Sequence, residues 1–220
     1  NDKPFKKDLE LALNREVRLM NDANCFTLSE AVDGAGKDYK SIFGIIIGTG
    51  FGGGLSYNKS IIEGSNQIAG DWGHQPLPYP TKEEQETKIS CLSNNCGRPL
   101  CAEQFMSGIG FKDRFNQKYD TNLSSEEIVK LDLENDPRAN LELGLYEDRM
   151  ARLMAVMIGI FDPDAIILGG GMSNIDRFYK NIPSLIPKYT FSNKVETKVL
   201  KNLHGDSSGV RGAAWLWNNV

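Results

Sequence analysis

The sequence FGIIIGTGFGGGLSY occupies residues 43–57 and joins an apolar run to a glycine-rich turn and a second run of strand-forming residues. A continuous Ile-rich run such as Phe43 to Ile47 is typical of a strand buried on both faces. After the glycines, Leu55 to Tyr57 predicts a second strand, and Ser60 to Ile62 predicts a third beyond the tight turn at Asn58-Lys59. The chain is therefore expected to contain a β-meander whose first turn is rich in glycine.

This glycine turn, residues 48–54, fits more than one function. Gly48, Gly50 and Gly53 match the spacing of a dinucleotide-binding G-x-G-x-x-G motif, but that motif requires a helix directly after the turn. Because a strand follows here, we reject the dinucleotide-binding fold. A flexible hairpin is one remaining interpretation, since glycine commonly serves in turns. The other is a backbone nest whose N–H groups bind a phosphate, and five glycines in seven residues, with the Thr49 hydroxyl among them, favour it.

The composition excludes several classes of protein. The 220 residues are 40% hydrophobic, and 25 Lys and Arg against 29 Asp and Glu give a net charge of −4. Nucleic-acid binding through phosphates usually shows a basic excess, so we expect no nucleic-acid partner. The longest near-continuous apolar run, Leu153 to Phe161, is far shorter than the roughly 18 residues of a membrane span, so we expect no membrane partner. Residues 1–14 are charged and amphipathic rather than signal-like, and we expect a cytoplasmic protein.

Asp22 is the candidate general base. Val17 to Leu19 alternates with charged residues and predicts a short strand, and Cys25 to Val32 predicts a helix. Asn21-Asp22-Ala23-Asn24 would then lie at a strand-to-helix turn, where a carboxylate is rigidly held. The same position also suits a helix N-cap, which Asp and Asn fill very often, so the local sequence leaves both roles open.

Three cysteines and a histidine have the spacing of metal ligands. Four residues separate Cys91 from Cys96 and Cys96 from Cys101, which fits the ligand spacing of zinc sites. His74 would complete a closed set of four ligands, and a closed set is structural rather than catalytic. The alternative is free thiols or disulfides in a loop, although disulfides are rare in the cytosol.

The second half of the chain is mainly helical and contains a second glycine turn. Ala139 to Phe161 has apolar residues at helical spacing, and Asp162-Pro163-Asp164 stops this helix. Ala165 to Leu168 predicts a short buried strand that runs straight into Gly169-Gly170-Gly171. These glycines suit a nucleotide-binding turn or a packing turn equally well. A closing helix is predicted from Val210 to Trp217.

Together these motifs resemble the ROK family of sugar kinases and repressors, and the resemblance extends over essentially the whole chain. The signature residues are Ile47, Gly50-Phe51-Gly52-x-Gly54-Leu55, Gly64 and Gly70-x-x-Gly73-His74. Further matches are Asn21-Asp22-Ala23-Asn24, Cys96-x4-Cys101-Ala102-Glu103, Ser107-Gly108, Asp162-Pro163-Asp164, Leu168-Gly169-Gly170-Gly171-Met172-Ser173 and His204-Gly205-Asp206-Ser207-Ser208-Gly209. Within the family, the sequence from Trp72 to Pro78 looks most like bacterial fructokinases of the manno(fructo)kinase type.

The resemblance implies an α/β protein with the actin-like ATPase (ribonuclease H-like) fold, in which ATP and a sugar bind between two lobes. The family's N-terminal phosphate motif D-x-G-G-T is absent, so residues 1–40 are expected to be the remnant of an incomplete N-terminal lobe. Residues 41–203 would form the large C-terminal lobe, with a zinc loop at 74–101, and residues 204–220 a closing helix that packs back toward the N-terminal lobe. We expect this chain alone to be inactive or nearly so.

The resemblance also assigns roles to individual residues. Asp22 is expected to be the general base in the ATP- and Mg²⁺-dependent phosphorylation of a hexose, in the first instance of fructose to fructose 6-phosphate. The expected sugar contacts are Asn21, Asn66, Asp71, His74 and Glu103. The expected nucleotide contacts are Gly48, Thr49, Gly50, Gly169, Gly170 and Gly171. The expected ligands of a structural Zn²⁺ are His74, Cys91, Cys96 and Cys101.

The sequence departs from the family pattern at two of these positions. Asp71 replaces the usual Glu and is one methylene shorter, and Cys91 lies three residues upstream of the first cysteine in the usual C-x-C-x4-C. Alternative functions are a sugar-sensing transcriptional repressor, a non-catalytic sugar-binding module, or a kinase for mannose, glucose or N-acetylglucosamine. The expected partners are a hexose and, as a further option, a second copy of the chain in a homodimer.

Overall fold

The computed structural model describes residues 4–87 and 96–217. Within these residues, a five-stranded mixed sheet has the order β3-β2-β1-β4-β5. β1 pairs antiparallel with β2 and parallel with β4, and β4 pairs parallel with β5. The predicted meander is confirmed, although the second strand begins earlier than expected and includes three of the turn glycines. The strands are β1 (Ser41–Ile47), β2 (Phe51–Tyr57), β3 (Ser60–Ile61), β4 (Ala165–Gly169) and β5 (Lys198–Lys201).

Strand β1 is buried on both faces because successive side chains point to opposite sides of the sheet. Phe43, Ile45 and Ile47 contribute to the larger hydrophobic core, whereas Ile42 packs with Phe26 in a smaller core on the opposite face. Helices cover both faces, which is why the strand sequence is continuously apolar rather than alternating.

Two helical layers enclose the sheet. On the side of the smaller core, α2 (Asp22–Val32) packs on β1 and β2, and α9 (Ser208–Trp215) packs on α2. On the other side of the sheet, helices between residues 102 and 185 supply most of the side chains in the larger core. Among the described residues, no helix is both long enough and apolar enough to cross a lipid bilayer. The other helices are α1 (Phe5–Leu13), α3 (Lys82–Glu86), α4 (Ala102–Met106), α5 (Gly108–Tyr119), α6 (Ser125–Leu133), α7 (Pro137–Phe161) and α8 (Arg177–Leu185).

The long helix α7 starts and stops at residues whose chemistry explains both ends. The Asp136 side chain accepts hydrogen bonds from the backbone N–H groups of Arg138 and Ala139, and Pro137 occupies the first turn, where it costs no hydrogen bond. At the other end, Asp162 adopts the left-handed conformation with a φ of 48°. The predicted helix is confirmed and starts two residues earlier than expected.

The strand predicted from Val17 to Leu19 is wrong. Residues 16–21 form neither strand nor helix. Instead, the Arg18 guanidinium lies over the Trp217 ring, 4.5 Å from its centroid, and donates to the Leu216 carbonyl. A strand requires a neighbour for its backbone hydrogen bonds, and the described part of the chain provides none for this segment.

Candidate functional site

The two glycine turns lie side by side at the carboxyl ends of β1 and β4. These strands are parallel, with Ile46 paired to Gly169, so both turns leave the sheet in the same direction. Gly170 has a φ of 80°, and a Cβ atom there would overlap the carbonyl oxygen of Ile47. Glycine is required at this position because a side chain would tolerate neither the backbone conformation nor the close approach.

The turn after β1 is held against the N-terminus of α5. The Gly108 N–H donates to the carbonyl oxygen of Gly48 over 2.8 Å, and Ser107 caps the helix by accepting a 3.1 Å hydrogen bond from the Gly110 N–H. Helix N-termini attract anions because their first N–H groups have no partner within the helix and the dipole is positive there. The Gly108 and Gly110 N–H groups are already used in these two contacts, so a phosphate beside the turn would meet the Ile109 N–H and the positive end of the helix dipole.

A cavity of about 530 Å³ opens between this turn, α5, α6 and the turn after β4. Three of the six predicted nucleotide contacts line it, namely Gly48, Thr49 and Gly171. Gly50 and Gly170 are not among its lining residues, and Gly169 is buried where a Cβ atom would overlap the Phe26 ring. Within the two glycine turns, Gly48, Thr49 and Gly171 therefore face the cavity. Gly169 and Gly170 instead lie where a side chain would overlap neighbouring atoms.

No sequence motif indicated the apolar wall of this cavity. Ile109, Val129, Met172 and Ile175 contribute to it from three separate segments. One usable signal was the Ser124-x-x-Glu127 capping box that starts α6, in which the side chain of each residue bonds the backbone N–H of the other. That motif predicts where α6 begins, but it does not reveal that the helix folds over the glycine turn.

Asp22 is exposed at the first position of α2, and Asn21 is the N-cap. The Asn21 Oδ1 accepts hydrogen bonds from the backbone N–H groups of Ala23 (2.9 Å) and Asn24 (3.4 Å). The Asp22 Oδ1 accepts a 2.8 Å hydrogen bond from the Ala23 N–H. Burial and, to a smaller extent, the Asp22 charge raise the pKa of the Cys25 thiol. Because Asn21 is the cap, the Asp22 side chain remains available at the surface.

The first turn of α2 packs directly on β2. A Cβ atom at Gly54 would lie 2.7 Å from the Asn24 Oδ1, and one at Gly52 would lie 3.7 Å from the Ala23 Cβ. The helix therefore approaches the strand closely because β2 carries glycine on this face. The helix runs with its N-terminus toward the start of β2, so Asp22 lies on the side of the strand that adjoins the glycine turn.

Glu103, at the start of α4, also reaches the beginning of β2. Its Oε2 accepts a 3.3 Å hydrogen bond from the Phe51 N–H, and a Cβ atom at Gly50 would lie 3.0 Å from the same oxygen. The Glu103 N–H in turn donates to the carbonyl oxygen of Gly73 over 2.7 Å. The structure therefore brings Glu103 and the N-terminal turn of the Asp22 helix to the same end of β2.

The segment that carries Asp71 is pressed against β2 by the glycines on either side. A Cβ atom at Gly73 would overlap the Phe51 carbonyl, and one at Gly70 would lie 2.8 Å from the Gly54 Cα. Gly70 also has a φ of 86°. Asp71 itself is exposed, so its carboxylate is presented from a segment whose backbone position is closely constrained.

Asn66 lies apart from this group in an exposed turn. The Gln67 N–H closes the turn by donating to the Gly64 carbonyl over 3.2 Å. Among the described residues, no hydrogen bond links the Asn66 side chain to Asp22 or Glu103. Asn66 is therefore the predicted sugar contact with the weakest structural connection to the others.

His74, Cys96 and Cys101 form one group. The Cys101 Sγ lies 3.7 Å from the Cys96 Sγ and 3.5 Å from the His74 Nδ1, and all three candidate ligand atoms lie within 4.8 Å of one another. Among the described residues, no disulfide joins these two cysteines. Cys91 lies outside the described residues. Three of the four predicted zinc ligands thus come together on segments separated by more than twenty residues of sequence.

A buried carboxylate that the sequence did not single out fixes the far end of α2. Glu30 is fully buried, and its Oε2 accepts hydrogen bonds from the N–H groups of Ala35 (2.9 Å) and Leu203 (3.0 Å). Its Oε1 accepts from the Ser208 hydroxyl (2.8 Å) and the His204 N–H (3.3 Å). Donors from distant parts of the chain therefore hold the helix that presents Asp22.

Comparisons with known proteins agree on one family. The profile described as the ROK family matches residues 1–220. The N-acetyl-D-glucosamine kinase of Vibrio atlanticus (strain LGP32) is 39% identical over 214 residues, which cover 97% of this chain and 71% of that protein. The corresponding kinase of Vibrio cholerae serotype O1 is 38% identical over 214 residues, with the same coverage. These relatives do not support fructose as the sugar.

Solved structures show the same fold at lower identity. The ROK hexokinase of Thermus thermophilus has a TM-score of 0.84 at 24% identity and covers 97% of this chain and 69% of that one. The ROK glucokinase of Streptomyces griseus, in complex with glucose and AMPPNP, has a TM-score of 0.82 at 24% identity, covering 97% and 72%. A ROK transcriptional regulator, a homolog of the E. coli MLC protein, reaches 0.79 at 20% identity, covering 95% and 53%.

At these identities the structural likeness establishes the fold alone. The ROK kinase neighbours have the actin-like ATPase fold, so the predicted α/β fold class is confirmed. The family follows from the profile match along the full chain together with relatives near 39% identity. This chain belongs to the ROK family.

Proposed function

We propose that this protein transfers the γ-phosphate of ATP to a hexose and that N-acetyl-D-glucosamine is the preferred sugar. The ROK match and the kinase relatives support a sugar kinase. N-Acetyl-D-glucosamine replaces the fructose of the initial expectation because the 38–39% identical relatives phosphorylate that sugar by name. One observation carries the proposal. The Asp22 carboxylate is exposed and is not the helix cap, and it lies beside β2, whose preceding glycine turn contacts the N-terminus of α5.

Asp22 is the general base in this proposal. Phosphoryl transfer needs positioning and charge stabilisation more than covalent chemistry, and a carboxylate accepts the proton of the attacking hydroxyl. General-base assistance contributes roughly 10²–10⁴-fold to such rates. The hydrogen bonds of Asn21 and the packing of α2 on β2 hold the carboxylate in place without consuming it as a cap.

The glycine turn and the N-terminus of α5 bind the phosphates of the nucleotide. The Gly48 N–H already donates to the Gly50 carbonyl, so the backbone N–H groups of Thr49 and Gly50 and the Thr49 hydroxyl supply the donors. The helix dipole adds a positive potential. The apolar wall that includes Ile109 and Val129 then suits the flat faces of the base, with Gly169 to Gly171 forming the turn beside it. Mg²⁺ bound to the nucleotide would neutralise phosphate charge, and the Asp22 carboxylate and the Thr49 hydroxyl would offer oxygen atoms of the kind that a hard cation prefers.

Polar side chains around the start of β2 bind the sugar. Carboxylates, amides and an imidazole each accept or bridge hydrogen bonds, which suits a ligand covered in hydroxyl groups. Glu103 and Asp71 supply carboxylates from two segments that pack on β2. The proposed sugar contacts are Asn21, Asn66, Asp71, His74 and Glu103.

His74, Cys96 and Cys101 would hold a structural zinc ion, which would fix the segment that carries His74. Zinc–sulfur bonds are about 2.3 Å long and zinc–nitrogen bonds about 2.0 Å. In a tetrahedral site, these bond lengths place two thiolate sulfurs about 3.8 Å apart and a sulfur about 3.5 Å from an imidazole nitrogen. The Cys96–Cys101 and Cys101–His74 separations are 3.7 and 3.5 Å. These values support His74, Cys96 and Cys101 as ligands, with Cys91 proposed as the fourth. Zinc would fix the loop that precedes Glu103.

The proposal is tested by measuring ADP release from full-length protein with a panel of hexoses. We expect N-acetyl-D-glucosamine to give the highest kcat/KM, and Asp22→Asn to lower kcat by roughly 10²–10⁴-fold with little change in the KM for ATP. Asp38→Asn is the matched control, because Asp38 is another exposed carboxylate. Near-normal turnover of Asp22→Asn would remove the base assignment. Sugar binding without any ADP release would favour a sugar-sensing regulator instead.

A further inference from the structure

A second cavity lies against the C-terminal half of α5, away from the glycine turns. Its volume is about 740 Å³, and its walls come from α3, α4, α5 and α7. Gly108 starts α5 at the first cavity, whereas Arg114 lines the second cavity about 9 Å further along the helix axis. The N-terminal part of α5 therefore lines the first cavity, and its C-terminal part lines the second.

Arg114 brings to this cavity a guanidinium that forms no ion pair with a carboxylate among the described residues. Its guanidinium lies over the Phe105 ring, 5.0 Å from the centroid, and its Nη1 donates to the Gln104 carbonyl over 2.8 Å. In the part of the chain that the structure describes, no carboxylate oxygen lies within ion-pair distance of it. Because a guanidinium has five N–H donors, most of the donors of Arg114 remain available to a ligand.

A second guanidinium, that of Arg149, lies beside the same aromatic ring. Its centre is 5.5 Å from the Phe105 centroid, and its Nε donates to the Glu84 Oε1 over 2.7 Å. The Nη1 of Arg149 is buried and has no hydrogen-bond partner among the described residues. A buried donor without an acceptor is unfavourable, so an incoming anion that supplied one would be bound favourably.

The carboxylates that line the cavity already have other cation partners. Glu84 is shared between Arg149 and Arg152, at 2.7 and 2.8 Å. Glu142 accepts a 2.8 Å hydrogen bond from Lys118, and the exposed Glu83 lies 3.6 Å from the same ammonium group. Arg114 is thus left as the cation without a carboxylate.

The pKa of the Arg114 guanidinium reflects both its burial and the charges around it. Burial and, next, the Arg149 charge lower the pKa of the Arg114 guanidinium to about 9, although Glu142 acts in the opposite direction. Arg114 therefore remains a cation at neutral pH, and guanidinium forks match the oxygen pairs of phosphate in geometry and charge.

We propose that this second cavity binds a phosphate group, with Arg114 and Arg149 as its ligands and Lys118 at its rim. The volume admits free inorganic phosphate as well as a phosphate carried by a hexose. None of the described residues that line this cavity lines the first cavity or is a proposed sugar contact, so the site can be tested separately from the proposed kinase activity.

The test is isothermal titration of inorganic phosphate and, separately, of a hexose 6-phosphate into full-length protein. Ionic strength is held constant, and a non-hydrolysable ATP analogue occupies the nucleotide site. We expect saturable binding of at least one of the two probes, with the Kd raised about tenfold or more by Arg114→Met. Lys130→Met is the matched control, because it removes an ammonium group that is 76% exposed and outside this cavity.

The pattern across variants decides the outcome. Binding that is weakened by Arg114→Met and unchanged by Lys130→Met supports the site, and the probe that binds more tightly identifies the source of the phosphate. Absence of saturable binding, or equal binding by wild type and Arg114→Met, overturns it. If circular dichroism shows that Arg114→Met does not fold, Arg114→Lys and Lys118→Met replace it, and unchanged Kd values in both would equally overturn the proposal.

Discussion

The backbone N–H of Gly108 donates a 2.8 Å hydrogen bond to the carbonyl oxygen of Gly48. This contact joins the first residue of α5 to the glycine turn after β1, across sixty residues of sequence. The Ser125 hydroxyl extends the connection by donating to the Gly108 carbonyl over 2.9 Å. Three of the four walls of the proposed nucleotide cavity, the turn after β1, α5 and α6, are therefore linked through one glycine.

A side chain at position 108 should weaken nucleotide binding. A Cβ atom at Gly108 would lie 3.1 Å from the Gly48 carbonyl oxygen, and the branches of valine would force the turn and the helix apart. We expect Gly108→Val to raise the KM for ATP about tenfold while the KM for the sugar changes little. Steady-state kinetics provide the measurement. Gly144→Val is the control, because among the described residues no heavy atom outside the adjoining backbone of α7 lies within 4 Å of a Cβ at that helical glycine.

Removal of the proposed zinc should destabilise the protein. We expect about one zinc per chain by elemental analysis of protein purified without chelator. Cys101→Ser should lose that zinc and lower the Tm, as should prolonged chelation of the wild type. Cys25→Ala serves as the control, because Cys25 lies in α2 outside the His74 group. Wild-type protein without zinc would contradict the assignment.

The packing of α9 on α2 should depend on a single glycine. A Cβ atom at Gly212 would overlap the backbone of Cys25, so Gly212→Ala must push the two helices apart. We expect a loss of roughly 1–3 kcal/mol or more in the free energy of unfolding, as for other overpacked sites. Gly209 is on the same helix, and among the described residues no heavy atom outside the adjoining backbone lies within 4 Å of a Cβ at that position. Gly209→Ala should therefore change the free energy of unfolding by less than about 1 kcal/mol. Urea denaturation of both variants distinguishes these outcomes.

The buried Glu84 should make stability depend on acid pH. Burial opposes its ionisation, but the hydrogen bonds from Arg152, Thr81 and Arg149 lower the pKa of Glu84 to about 2. A carboxyl whose pKa is lower in the folded state stabilises the protein above its unfolded value of about 4.3 and loses that contribution as the pH falls. We therefore expect the free energy of unfolding to decline between about pH 4.5 and pH 2.

Replacement of Glu84 separates this contribution from general acid denaturation. Glu84→Gln leaves the buried Arg149 guanidinium without its carboxylate partner and leaves Arg152 with Asp148 alone. It should cost about 3–5 kcal/mol at neutral pH. Its free energy of unfolding should also fall less steeply than that of the wild type in acid. Glu86→Gln removes a carboxylate that is 68% exposed and should alter stability by less than about 1 kcal/mol. Equal acid slopes in wild type and Glu84→Gln would count against this role.

Local sequence patterns were sufficient for much of the secondary structure. The Ile-rich run predicted β1, and the strand after the glycine turn correctly excluded a dinucleotide-binding fold. The apolar spacing and the flanking Asp and Pro residues predicted α7 to within two residues of its start. These features depend on side-chain periodicity and on the backbone preferences of a few residues, and both are visible in a short window. The proposed lobe boundaries after residues 40 and 203 remain predictions.

Isolated motifs were less reliable where the outcome depended on a partner. The alternation from Val17 to Leu19 suggested a strand, but no neighbouring strand is present in the described chain to receive its hydrogen bonds. Asp22 and Asn21 were equally suitable as caps by residue type, and only the structure shows that Asn21 has that role. The pairing of residues distant in sequence is a property of packing, which local propensity does not contain.

The order of residues along the chain was enough to specify the strands, the glycine turns, the family resemblance and the His74 and cysteine motif, because each depends on neighbouring positions. Tertiary packing alone placed the N-terminus of α5 against Gly48, buried Glu30 among donors from distant segments, and left Arg114 without a carboxylate in the described chain. Such contacts form between segments separated by tens of residues, and their distances follow from how helices cover the sheet. The candidate sites therefore reside in the contacts between these elements.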